Sequence, residues 1–366
     1  MTSASATGSA PCTVVDRSTL QRNIEMGARL AAAAGIALRP HAKTHKCPPI
    51  AALQIAAGAV GLSVATVGEA EVFAAAGVTD LFLALPVWPG DGAAARLAKL
   101  SERSMITVGA DSVDGVRRLA SAVPAASGLR VAVELDCGLS RTGVSPKAAA
   151  RIARAAQEAG YEVVGVFTFP GHSYRPGAAV SAATDEASAL AGGRTALEDA
   201  GIACPVRSGG STPSLAASAR LSGNGVVTEL RPGVYALNDA QQVSLGTVTT
   251  DDLALWVLSR VVSAVSPDRI VLDAGSKLLG PDRPAWLSGH GLLPDHPGAV
   301  VTGLWEHHAV VDVSGCRNHP PVVGEVVRVV PNHVCSAVNL VDDLLVVDGD
   351  DLVVDRWPVS ARGLNG

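Results

Sequence analysis

Between about Ser18 and Tyr235, apolar runs rich in Val, Leu and Ile alternate with Ala-rich helical segments, a pattern that confines the chain to few architectures. Strand candidates centre on Ile36, Gly61, Leu81, Ile106, Val131, Val163, Val206 and Thr228. Helix starts are marked by Ser18-x-x-Gln21 and Thr66-x-x-Glu69, which match capping boxes, and by Ser145-Pro146. Gly35, Gly77 and Gly160 stand where helices should close. Eight strands separated by helices predict an α/β fold, a (β/α)8 TIM-type barrel, with an open doubly wound sheet as the competitor. Past about Leu245 the helical period fades into short β-branched runs at 253–265, 269–272, 300–304, 310–313, 325–330 and 343–347. Turn residues separate them, so a C-terminal, mostly β second domain is expected, joined by a strand at 12–15. The expected division is a barrel over 18–245 and a β domain from 1–17 plus 246–366.

Composition narrows the function. A net charge of -5 without a basic cluster argues against a nucleic-acid partner, because phosphate backbones are bound mainly by grouped Lys and Arg. Hydrophobic residues reach 48% while aromatics are 3%, so the core must be Ala, Val and Leu. The first residues carry neither a basic nor an apolar leader region, and no secretory signal is expected. The most apolar stretch, 51–65, is diluted by Gln54 and Ser63 and runs into Glu69, so it predicts a buried helix and strand and no membrane span. Six scattered cysteines in a chain this long fit a reducing cytoplasm.

The chain has five lysines, and two fall in Arg39-Pro-His-Ala-Lys-Thr-His-Lys46. If that segment is extended, Arg39, His41, Lys43 and His45 share one face. Neighbouring cations disfavour an ammonium, and a neutral amine is what Schiff-base chemistry requires. A basic strand end that binds any anion is the plainer alternative. Further on, Arg207-Ser-Gly-Gly-Ser-Thr-Pro213 follows an apolar run; its glycines let backbone N–H groups approach an oxyanion, and Ser211 and Thr212 add hydroxyl donors. In Pro331-Asn-His-Val-Cys335, His333 and Cys335 would share a strand face, an imidazole and thiolate pair suited to zinc. A buried cysteine beside a satisfied histidine is the ordinary alternative.

The Arg39 to Lys46 segment resembles the alanine-racemase-like fold of pyridoxal enzymes (fold type III), specifically the D-serine dehydratase and D-threonine aldolase branch, whose Arg-Pro-His-x-Lys-x-His-Lys stretch carries the cofactor lysine. The resemblance assigns pyridoxal 5′-phosphate to Lys43 and the phosphate loop to Ser208, Gly209, Gly210, Ser211 and Thr212. It places Arg141, in Asp136-Cys-Gly-Leu-Ser-Arg-Thr-Gly143, by the phenolic oxygen and Tyr235, in Glu229-Leu-Arg-Pro-Gly-Val-Tyr235, by the phosphate. It places Tyr174, in Phe167-Thr-Phe-Pro-Gly-His-Ser-Tyr174, by the pyridine nitrogen. His333 and Cys335 become metal ligands, for zinc or alternatively manganese. The sequence departs from the family at Phe169-Pro170, where a histidine and a small residue are expected, and at Trp305, where a small or acidic one is. Glu306, His307 and His308 are left outside the metal set.

The chemistry so implied is a lyase on a small D-β-hydroxy amino acid. D-Serine dehydration comes first: Lys43 takes the α-proton, the metal holds the β-hydroxyl, and pyruvate and ammonia result. Retro-aldol cleavage of D-threonine or a relative, giving glycine and an aldehyde, is the alternative. Racemisation and a non-catalytic pyridoxal phosphate carrier rank lower. The family's sites imply a homodimer.

Overall fold

The computed structural model describes residues 10–222, 225–316, 319–348 and 352–366; the first nine positions of the expected N-terminal segment lie outside them. The chain divides into two compact units, one holding Met26–Lys43, Ala51–Gly233 and Leu364–Gly366, the other Thr44–Ile50, Val234–Gly363 and the described part of Met1–Glu25.

Strand β1 is Cys12–Asp16 and belongs to the second unit. The first unit holds β2 (Ala37–Leu38), β3 (Leu62–Val64), β4 (Asp80–Pro86), β5 (Met105–Ala110), β6 (Arg130–Glu134), β7 (Glu162–Phe167), β8 (Val206–Gly209) and β9 (Glu229–Leu230). All pair in parallel, in the order β2-β9-β8-β7-β6-β5-β4-β3. The two end strands are then joined: Val60 N–H donates to Leu38 O (2.9 Å), Ser63 N–H donates to Pro40 O (2.8 Å), and His41 bridges Ser63. That closure rules out the open sheet. Each strand candidate named from sequence is one of these eight.

The small side chains do what their abundance required. The helix stripes facing the strands are largely alanine, as at Ile152, Ala153 and Ala156, and two of the few aromatics, Phe82 and Phe167, meet edge to face at 4.9 Å between ring centres. Thr66 caps its helix, accepting from Glu69 N–H at 3.1 Å, while Glu69 accepts from Ala65 N–H at 2.7 Å. Thr66→Ala removes that acceptor, and urea unfolding should show a loss of about 1 kcal/mol. Ser18 does not cap: the first helix opens at Arg17, and Asp16 accepts from Ser18 Oγ (2.8 Å) and Thr19 N–H (2.6 Å). An ionised carboxylate at the strand end is the stronger acceptor, so it displaces the serine.

The second unit is a sheet of β1 with β10 (Leu255–Ser266), β11 (Arg269–Leu272), β12 (Gly291–Leu292), β13 (Val300–Leu304), β14 (Ala309–Asp312), β15 (Val326–Pro331), β16 (Asp343–Asp348) and β17 (Leu352–Pro358). β1 lies between β10, antiparallel, and β16, parallel. Val257, Val261, Ile270, Leu272, Val311 and Val329 make its core. β12 and β17 have no counterpart among the sequence expectations. Among the described residues no helix is long and apolar enough to cross a membrane.

Candidate active site

Lys43 sits on a short 3-10 turn, Ala42–Thr44, just past the His41 bridge. The expected common face of Arg39, His41, Lys43 and His45 is not formed, because the chain leaves the extended conformation at Ala42. Arg39 is also not a free cation. It is buried, and its guanidinium donates to Glu229 (2.7 Å) and to both oxygens of Asp80 (2.9 and 3.1 Å), the first residues of β9 and β4. Its charge is spent on closing the barrel. Lys43 Nζ lies 5.6 Å from the centre of the Phe169 ring, and the Arg141 guanidinium carbon 5.3 Å from the same ring. The departure at Phe169 therefore falls between the two predicted cofactor-facing cations. Asp136 does not hold Arg141; its Oδ1 accepts from Gly138 and Ser140 N–H at 2.9 and 3.0 Å.

The turn after β8 is tightly built. Gly210 has φ +87°, a conformation that favours glycine, and a Cβ on Gly209 would overlap Glu186 Oε1. Ser211 and Ser214 accept reciprocally from each other's backbone N–H at 3.2 and 3.3 Å, opening the helix Leu215–Leu221. Ser211 Oγ is 2.8 Å from Ser173 Oγ, so the predicted phosphate turn is tied to the loop that carries Tyr174. The Ser208 hydroxyl is engaged elsewhere, donating to Glu229 at 2.6 Å. Tyr235 is buried in the turn Val234–Ala236 of the other unit.

Three further buried polar residues were not anticipated. Glu186 accepts from Gly210 N–H and from Ser218 Oγ (2.6 Å), and burial pushes its carboxyl up to about 7. Arg231 donates to Thr168 O at 2.6 Å and lies 5.4 and 5.2 Å from the Phe82 and Phe167 ring centres. Glu134, also raised chiefly by burial, accepts from Thr142 Oγ1 at 2.9 Å.

His333 and Cys335 do not lie on a strand. β15 ends at Pro331, His333 is the cap residue of the short helix Val334–Val338, and Cys335 is in its first turn. The cause is Asp239, fully buried, whose Oδ2 accepts from Val334 N–H (3.1 Å) and whose Oδ1 accepts from Gln242 N–H (3.0 Å). The same Oδ2 is 3.4 Å from His333 Nδ1. The Cys335 sulfur first, and Asp239 after it, hold the imidazole well above its ordinary pKa, against the effect of burial. Cys335 Sγ donates to Thr44 Oγ1 at 3.3 Å; Thr44 follows Lys43 in the chain. Among the described residues no group of three or more His, Cys, Asp or Glu is arranged to hold a metal.

The family model described as alanine racemase, N-terminal domain, matches residues 15–240. The chain belongs to that family. A serine dehydratase domain model matches residues 254–347 of this alanine-racemase-like chain. A D-threonine aldolase from Arthrobacter sp is 34% identical over 366 residues, covering 97% of this chain and 93% of that protein. D-threo-3-hydroxyaspartate dehydratase from Delftia sp. (strain HT23) is 33% identical over 350 residues, covering 89% and 90%. The crystal structure of D-threonine aldolase from Filomicrobium marinum superposes with a TM-score of 0.87 at 32% identity, covering 97% and 96%. This member of the alanine racemase family is a pyridoxal-phosphate-dependent lyase of the D-threonine aldolase and dehydratase type.

The residues present fit the implied groups. A glycine turn at a strand end, with buried hydroxyls and no room for a Cβ, suits a phosphate, and the half-buried Lys43 suits an aldehyde. An imidazole whose Nδ1 faces a buried carboxylate leaves Nε2 for a metal, and the thiol supplies a second, soft donor. A variant of the Delftia dehydratase's namesake has been solved in a metal-free form.

Proposed function

We propose that this chain is a pyridoxal-phosphate- and metal-dependent lyase of D-β-hydroxy amino acids, with retro-aldol cleavage of a D-threonine-type substrate ahead of the D-serine dehydration that sequence motifs alone put first. The observation that carries this order is the likeness to D-threonine aldolase over 97% of the chain. Dehydration keeps its own support: the serine dehydratase domain model spans 254–347, the segment holding His333 and Cys335.

Lys43 Nζ would hold the cofactor aldehyde, and the turn at 208–212 its phosphate, with Tyr235 contributing there. Arg141 and Tyr174 would orient the ring from the phenolic-oxygen and pyridine-nitrogen sides. The cofactor supplies an electron sink for the bond broken at Cα. His333 Nε2 and Cys335 Sγ would hold a divalent ion, zinc or alternatively manganese, which acidifies a substrate hydroxyl. In retro-aldol cleavage the β-hydroxyl gives its proton to solvent, Cα–Cβ breaks to release the aldehyde, and Lys43 Nζ, protonated from solvent, would deliver a proton to Cα to give glycine. In dehydration Lys43 Nζ would take the α-proton, the β-hydroxyl leaves with that proton as water, and the released enamine hydrolyses to pyruvate and ammonia. The two reactions use one lysine in opposite senses, as proton donor to Cα in the first and as acceptor from Cα in the second.

Incubation with D-threonine and with D-serine, assayed for aldehyde and for pyruvate, separates the two. Glycine plus acetaldehyde from D-threonine is the expected result; pyruvate from D-serine with no aldehyde from D-threonine reverses the order, and neither product sinks the assignment. A homodimer is proposed as the working form, and sedimentation as a monomer at assay concentration argues against it.

A further inference from the structure

Behind the turn at 208–212 runs an unbroken line of buried side chains. Glu186 Oε2 is 2.6 Å from Ser218 Oγ, Ser218 Oγ is 3.3 Å from Ser214 Oγ, Ser214 Oγ is 2.8 Å from Ser211 Oγ, and Ser211 Oγ is 2.8 Å from Ser173 Oγ. None of the five is more than 1% exposed. The carboxylate also holds the turn's backbone, through Gly210 N–H.

Each serine has one proton to give, so the line has two polarities. With Glu186 ionised, Ser218 must donate to it, and Ser214, Ser211 and Ser173 follow in turn; every O–H points inward and lone pairs face the mouth of the turn. With Glu186 protonated, it donates to Ser218, and the line reverses until Ser211 donates outward. Only the second polarity suits an anion at the turn.

We propose that Glu186 is a positioning residue for the cofactor phosphate: it takes up one proton from solvent as the phosphate arrives, and the serine line thereby turns its donors toward the anion. The inference rests on the reading of 208–212 as the phosphate turn. An arriving dianion acts on Glu186 as a like charge and favours its protonated form. The free carboxyl, already raised to about 7, is poised for this near neutral pH. The other titratable or charged groups that face it are Arg231, after β9, and Cys137, after β6, while the helix Leu215–Leu221 presents Ser218 and the turn presents backbone N–H. Arg231 favours the ionised carboxylate and is outweighed by burial.

The test is calorimetric titration of the full chain, freed of cofactor, with pyridoxal 5′-phosphate near pH 8 in two buffers of different ionisation heat. In Glu186→Gln the amide accepts from Gly210 N–H and donates to Ser218 at every pH, so the outward polarity is built in. Wild type should take up close to one proton more than Glu186→Gln, and its affinity should fall by roughly tenfold per pH unit above 7 relative to the variant. Equal proton uptake and parallel pH profiles overturn the inference. If the variant does not fold, the infrared difference spectrum of wild type alone decides: a carboxylic-acid C=O band gained on binding supports the inference, and its absence overturns it. Failure of wild type to bind the cofactor at all sinks the phosphate reading and this inference with it, whereas binding without the proton sinks this inference alone.

Discussion

Lys43→Ala is expected to abolish turnover and to remove the visible absorbance of the bound cofactor. The argument is one of scarcity and placement. Of the five lysines, only Lys43 and Lys46 lie in the motif, and Lys46 is committed, its Nζ donating to Asn339 Oδ1 at 2.8 Å from a backbone at φ +50°. Within the motif, Lys43 is therefore the residue assigned the covalent role. Loss of the proton transfer alone should cost on the order of 10²–10⁴-fold in rate. Loss of the covalent anchor adds to that. The measurement is an absorbance spectrum after dialysis, alongside kcat with D-threonine. Lys46→Ala serves as the comparison and should keep the absorbance. A Lys43→Ala protein that stays yellow and keeps turning over would falsify the assignment of the cofactor to this residue.

The eight barrel strands were legible because buried parallel strands are written as short Val, Leu and Ile runs, and the intervening helices carry their own start and stop residues. What the sequence hid were places where one tertiary acceptor overrides a local pattern. Period two put His333 and Cys335 on a strand face, but a carboxylate nearly a hundred residues earlier, Asp239, caps a helix there instead. Period two likewise put Arg39 beside Lys43, until Asp80 and Glu229 claimed the guanidinium. Glu186 did leave a signal. It falls on the buried stripe of Ala182, Ala183, Ala189, Leu190, Gly193 and Leu197, where an acid has no reason to stand unless something inside the barrel receives it. β12 could not be found from pattern, because two residues of Gly and Leu carry no period.

Asp239→Asn is expected to weaken metal binding by about 10–100-fold, the usual cost of removing the group that orients a histidine ligand. The carboxylate has two duties here. Through Oδ1 and Oδ2 it caps the helix at Ala240 and the helix at Val334, and through Oδ2 it faces His333 Nδ1 at 3.4 Å. That second contact sets the carboxylate on the Nδ1 side of the ring, so that Nε2 would be the donor to the ion. Asparagine can accept through one oxygen only and carries no charge, so it cannot meet both duties. The readout is metal retained against a graded chelator, compared with thermal melting of the metal-free protein. Weaker retention on a protein that still melts cooperatively is the expected pair of results. A lowered melting temperature with unchanged retention would mean that Asp239 is a helix cap alone, and that His333 finds its orientation without it.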